Sequence, residues 1–149
     1  MKRLLEFLKS HPVVGLDTSI FIYHLEDHPR YAPVTETIFN SLEEGRNQGI
    51  TSFLTLMEIL VKPKAEGLLE VARDYEYYLT TFPNLTLFPF DLEIARKASD
   101  LRAASRVKTP YAIQLATALH HGATGFLTND RMFEKVTGLE IAVLDKVMK

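Results

Sequence analysis

Short apolar runs alternate along the chain with longer stretches in which apolar residues recur every three or four positions. The first such stretch is Met1 to Ser10, where Leu4, Leu5, Phe7 and Leu8 fall at helical spacing between Glu6 and Lys9. Val13 to Leu16 is a compact apolar run of strand length, and Asp17, Thr18 or Ser19 then supplies a cap for a helix carrying Ile20, Phe21, Tyr23, His24 and Leu25. A further helix follows Tyr31, with Pro33 suited to its first turn and Gly45 to its end. Ile50 and Thr51 predict a short strand, and Ser52 to Val61 a helix stopped by Pro63. Leu68, Ala72, Tyr75, Leu79 and Phe82 then predict a long amphipathic helix from about Ala65 to Phe82.

The second half repeats the alternation. Leu85 to Phe88, between Pro83 and Pro89, predicts an edge strand. Asp91 caps a helix through Ser105, and Thr109-Pro110 starts another that Gly122 ends. Gly125 to Thr128 predicts a buried strand, Asn129 and Asp130 open a short helix, and Glu140 to Leu144 predicts a last strand. Five strands and about seven helices in this order predict a single α/β domain over residues 1–149, a three-layer sandwich around a central parallel sheet. Ligands of such folds sit outside the carboxyl ends of the strands, near the point where strand order reverses.

Composition narrows the chemistry. The length of 149 residues fits one domain of roughly 150 residues. Seventeen Lys and Arg against nineteen Asp and Glu leave a formal charge of −2, so no global cationic field holds a polyanion and any nucleic-acid contact must be local. The absence of cysteine excludes disulfide scaffolds, Cys-ligated zinc, iron–sulfur clusters and thiol nucleophiles. No targeting segment or membrane span is expected: the most apolar internal run, Phe53 to Val61, contains Glu58 and is far shorter than the ~20 residues a span needs. A cytoplasmic location is therefore expected.

Three acids stand at or shortly beyond predicted strand ends: Asp17 after Val13 to Leu16, Glu58 in the helix after Ile50 and Thr51, and Asp130 after Gly125 to Thr128. If these strands are adjacent and parallel, the carboxylates converge on one edge of the sheet. Such a set repels itself unless a cation sits within it, and all-oxygen ligands suit Mg²⁺ or Mn²⁺. Each acid also has a structural reading. Asp17 and Asp130 can cap the helices that follow them, and Glu58 can close a capping box with Thr55.

Other features weigh less. Arg96, Lys97, Arg102, Arg106 and Lys108 are either a solvated helix face or a phosphate-tracking patch, and Arg131 beside Asp130 is a further phosphate candidate. His24 with His28 and His120 with His121 lack an acid of the set at helical spacing. The aromatics Tyr75, Tyr77, Tyr78 and Phe82 read as core or a dimer face. No glycine-rich phosphate loop occurs.

Four segments taken together resemble the PIN domain, in the family's order and over nearly the whole chain. They are Leu16 to Tyr23 beginning Leu16-Asp17-Thr18-Ser19, the helix-borne Glu58 in Leu56-Met57-Glu58-Ile59-Leu60, Thr109-Pro110-Tyr111-Ala112 to Ala118, and Phe126-Leu127-Thr128-Asn129-Asp130. The resemblance implies a Mg²⁺- or Mn²⁺-dependent endoribonuclease of the VapC toxin type. By that resemblance Asp17, Glu58 and Asp130 match the first, second and fourth acidic positions as metal ligands and catalytic residues, while Thr18, Ser19 and Thr128 position the carboxylates. At the third position, where the family usually has Pro-Asp-Ala, this chain has Pro110-Tyr111-Ala112. A phenol with an ordinary pKa near 10 is neutral at pH 7, so one negative ligand is lost and one ion rather than two is expected. Tyr111 then either reduces the activity or marks an inactive module that binds RNA or a protein partner. The resemblance further implies a homodimer and an antitoxin-like partner that covers the acidic pocket with a basic side chain, an arginine fork being the best match to carboxylates.

Overall fold

A computed structural model describes residues 1–149 and shows five strands and eight α-helices with one 3₁₀ turn. In chain order these are α1 (Lys2–Ser10), β1 (Val13–Leu16), α2 (Thr18–Leu25), α3 (Ala32–Glu43), β2 (Gln48–Ser52), α4 (Phe53–Ala65) and α5 (Leu69–Thr81). They continue with β3 (Leu85–Phe88), α6 (Leu92–Ser105), α7 (Thr109–His120), β4 (Gly125–Thr128), the 3₁₀ turn (Arg131–Lys135), β5 (Glu140–Val143) and α8 (Leu144–Val147). The expected α/β sandwich is what forms, and the strands lie within a residue or two of the apolar runs that predicted them.

The sheet has the order β3-β2-β1-β4-β5, and every neighbouring pair is parallel. From β1 the chain builds outward through β2 to β3, then returns to add β4 and β5 on the other side, so the order reverses between β1 and β4. β3 is an edge strand, as its flanking prolines predicted, and its side chains are only partly buried or exposed. Both faces of the sheet are covered. On one, Val14, Leu16, Leu127 and Ala142 pack with Leu4, Phe7, Ile20, Phe21, Ile38 and Leu79 from α1, α2, α3 and α5. On the other, Ile50 and Phe126 pack with Ile94, Ala112, Leu115, Ala116 and Phe133 from α6, α7 and the 3₁₀ turn. Burying a Leu, Ile or Phe side chain fully is worth about 1.5–3 kcal/mol, so these two layers supply the main force holding the strand ends in register.

Two boundaries depart from the sequence expectation. Pro63 does not stop its helix; it lies buried inside α4, which runs on to Ala65. Proline this close to a helix end removes one amide, and the last turn is closed instead by Glu66 N to Lys62 O, Gly67 N to Lys64 O and Leu68 N to Pro63 O. Gly67, at φ +74°, takes the left-handed conformation that ends the helix. The following helix therefore starts at Leu69 rather than about Ala65. At the other end of the chain Leu144 belongs to α8, a short helix the apolar pattern did not separate from the last strand.

His11, which sequence reasoning did not single out, joins the strand starts at the far end of the sheet. Its Nδ1 lies 2.9 Å from Thr124 Oγ1 and its Nε2 2.6 Å from Glu140 Oε2. No helix is long and apolar enough to cross a membrane.

Candidate active site

β1 runs directly into α2 with Asp17 at the junction, because the extended backbone of Asp17 (φ −76°, ψ 158°) both continues the strand and caps the helix. Its amide donates to Leu127 O at 2.9 Å, prolonging the β1–β4 ladder. One carboxylate oxygen, Oδ1, accepts from the Thr18 amide at 2.8 Å. The other accepts from Ser19 Oγ at 3.1 Å and Thr128 Oγ1 at 2.8 Å. Capping and site placement thus coincide in one residue. Burial pushes the Asp17 carboxyl above its ordinary value; the three hydrogen bonds oppose that shift and the charge of Glu58 adds to it.

Asp130 follows β4 and repeats the pattern. Its Oδ1 accepts from the Met132 amide at 2.9 Å and so caps the 3₁₀ turn, while its Oδ2 accepts from the Tyr111 hydroxyl at 2.7 Å. Thr128 Oγ1 receives the Asp130 amide at 3.0 Å and donates to Asp17, so one buried hydroxyl links the two acids. Glu58 comes from α4 after β2, and its Oε1 accepts from Thr18 Oγ1 at 2.8 Å. No bond joins Glu58 to Thr55; the helix is capped instead by Ser52 through the Leu54 amide.

A buried network that sequence reasoning missed carries Thr18. Gln114 Nε2 on α7 donates to Thr18 Oγ1 at 3.2 Å and to Thr55 Oγ1 at 2.8 Å. Thr55 in turn lies 2.7 Å from Thr51 Oγ1, which donates to Leu16 O at 2.9 Å. Gln114 and Thr55 are both fully or nearly fully buried. The available signal was an amide amid the apolar run Ala112-Ile113-Gln114-Leu115-Ala116, since a buried amide must find partners.

Asp17, Glu58 and Asp130 line one cavity of ≈ 420 Å³ at the reversal of strand order, with Thr18, Ser19, Tyr111 and Gln114 among its walls and Lys108 as its one cation. Tyr111 packs edge-on against Phe133 at 4.8 Å between centroids. Its phenol is pushed up to about 12, first by the hydrogen bond to Asp130, then by burial and the charges of Asp130, Asp17 and Glu58. It is a neutral donor at any physiological pH.

Of the remaining phosphate candidates the structure brings none into the cavity. Arg102 Nε donates to Val107 O at 3.0 Å, Arg106 ends α6 in the left-handed conformation, and Arg131 is exposed at the start of the 3₁₀ turn. His24 stacks on Phe39 and bonds the Tyr78 hydroxyl, while Tyr75, Tyr78 and Phe82 pack against the core and only Tyr77 faces solvent fully.

No group of three or more His, Asp or Glu side chains is disposed to hold one ion. A cage of three direct protein ligands is therefore not formed. The carboxylates present fit a hydrated Mg²⁺ or Mn²⁺ bound through one or two of them, and Glu58 Oε2 is the one oxygen of the three acids that accepts no hydrogen bond.

A parallel 3-2-1-4-5 sheet with acids converging at the carboxyl ends of β1 and β4 defines an α/β sandwich whose candidate site lies at the reversal of strand order. The sequence matches the PIN domain over residues 14–139, and the chain belongs to that family. Solved structures similar to it include VapBC2 from Rickettsia felis bound to a promoter DNA fragment, at 17% identity and a TM-score of 0.70, covering 87% of this chain and 97% of that one. VapBC-1 from nontypeable Haemophilus influenzae is similar at 18% identity and a TM-score of 0.66, covering 92% and 99%. A toxin–antitoxin complex from Klebsiella pneumoniae is similar at 26% identity and a TM-score of 0.63, covering 87% and 95%. No match was found among curated protein sequences.

Proposed function

We propose that the chain is a toxin-type PIN endoribonuclease, acting in the cytoplasm with a single Mg²⁺ or Mn²⁺ ion. The observation that carries this reading is the convergence of Asp17, Glu58 and Asp130, from three separate elements, on one cavity at the reversal of strand order. Asp17, Glu58 and Asp130 would hold the ion directly or through water. Bound there, the ion would polarise a phosphodiester and lower the pKa of a water. Thr18, Ser19 and Thr128 aim the carboxylates, and Gln114 fixes the Thr18 hydroxyl that reaches Glu58. The similar structures that are toxin–antitoxin complexes support a protein partner that covers the acidic cavity, and the same reading includes a homodimer.

The test is incubation of purified protein with structured RNA, with and without Mn²⁺. Cleavage that needs the ion and disappears in Asp17→Asn supports the enzyme. One observation favours a second reading, an inactive PIN module that binds RNA or protein: the Tyr111 hydroxyl already occupies Asp130 Oδ2. RNA binding insensitive to chelator and without cleavage would select that module.

A further inference from the structure

We infer that Lys108 is the residue by which this site holds substrate phosphate, contacting a phosphodiester of the RNA from the α7 side of the cavity. The inference rests on the ribonuclease reading above and specifies how its polyanionic substrate is held.

The cavity presents three carboxylates to any ligand. A nucleic-acid strand carries one negative charge per nucleotide, so this wall repels it unless a cation faces the phosphate. Among the eleven lining residues that cation is Lys108 alone. Sequence reasoning left it in a group of five basic residues before Thr109, and the tertiary structure separates them. Arg96 pairs with Glu93 on its own helix, and Arg102 is tied to the Val107 carbonyl. Arg106 is outside the cavity wall.

Lys108 is exposed, and no ion pair of the protein includes it although Asp17, Glu58 and Asp130 line the same cavity. A lysine placed to stabilise the acids would be paired with one of them within 4 Å. This one keeps its charge free for a ligand. It stands at the head of α7, and its carbonyl closes the first helical turn through the Ala112 amide at 3.0 Å, which fixes the backbone from which the side chain extends. Three residues on, Tyr111 turns its hydroxyl into the cavity to donate to Asp130 Oδ2, so no acid side chain stands on this edge. The α7 edge therefore carries one positive charge and no negative one, opposite a wall of carboxylates. A flexible ammonium with three donors suits phosphate oxygens as a point charge.

The experiment uses the full chain carrying Asp17→Asn, which blocks cleavage on the ribonuclease reading, and a short fluorescent single-stranded RNA of mixed sequence. Binding is measured by anisotropy across a salt series for this parent and for added Lys108→Ala, Lys108→Arg and Arg106→Ala, with thermal melts confirming that each is folded. A lost phosphate contact on a single strand reduces the slope of log K against log salt by about 0.7. Lys108→Ala should show that reduction and weaken binding evenly across sequences, Lys108→Arg should keep the parent slope, and Arg106→Ala should not change it. Equal slopes for parent and Lys108→Ala, an equal effect of Arg106→Ala, or no RNA binding at all would overturn the inference. A Lys108-dependent slope in a protein whose wild type cleaves no RNA with Mn²⁺ would leave the phosphate contact standing and overturn the nuclease reading instead.

Discussion

The Tyr111 hydroxyl donates a 2.7 Å hydrogen bond to Oδ2 of Asp130, across 19 residues of sequence. Where the PIN resemblance calls for a carboxylate that would repel Asp130, this chain has a neutral donor that holds it. The hydrogen bond gives Asp130 a fixed orientation.

Two Tyr111 variants separate those effects. Tyr111→Phe keeps the ring against Phe133 but removes the hydrogen bond to a charged acceptor, so it should destabilise the fold by about 1.5 kcal/mol. Tyr111→Asp should tighten Mn²⁺ binding and raise ribonuclease activity by restoring an oxygen ligand, at a stability cost from the lost ring. The folded phenol titrates above its unfolded value, so the hydrogen bond contributes fully below about pH 10 and is lost as pH rises through about 12. Melts of Tyr111→Phe and wild type should therefore converge in strong base.

Asp17 titrates in the same sense for a different reason. Its pKa is raised chiefly by burial, so the protonated form is favoured in the fold. Its contribution is full below the unfolded value of 3.8 and is lost as pH rises through the folded pKa. Without metal, Asp17→Asn should be at least as stable as wild type at pH 7, since Asn also caps helices well. With Mn²⁺ at a hundred times its Kd, wild type should gain about 2.7 kcal/mol and the variant little. Melts with and without the ion check both halves, and an unshifted wild-type Tm would rule out the ion.

Gln114→Ala removes a buried amide that donates to two threonine hydroxyls. It should destabilise the protein by about 1–3 kcal/mol through the unsatisfied partners and the cavity left behind. It should also lower cleavage more than stability alone predicts, because Thr18 would no longer be held toward Glu58. Activity measured well below the variant's Tm tests the second effect.

Gly15 sits in β1 where a Cβ would come 2.6 Å from the Phe126 ring and 2.7 Å from the Ala118 methyl. Both neighbours are buried core, so Gly15→Ala should cost about 1–3 kcal/mol by overpacking. Urea denaturation should show a lower midpoint with an unchanged slope.

Much of this architecture was legible in the sequence because its causes are local. The period of apolar residues separates strand from helix within a few positions, and Asp17 directly after Val13 to Leu16 or Pro110 after Thr109 marks a junction through its own backbone preferences. The same local reasoning misplaced the end of α4, because whether Pro63 stops a helix depends on how the carbonyls beyond it are satisfied. It also left Asp17 and Asp130 divided between capping and chemistry, a choice the fold did not require, since each carboxylate caps with one oxygen and faces the cavity. Which acids meet, which of five basic residues lines their cavity, what Gln114 bonds and what Tyr111 touches were settled only by tertiary structure. Strand order places β1 between β2 and β4, and that placement brings together residues far apart in sequence, which no local periodicity encodes.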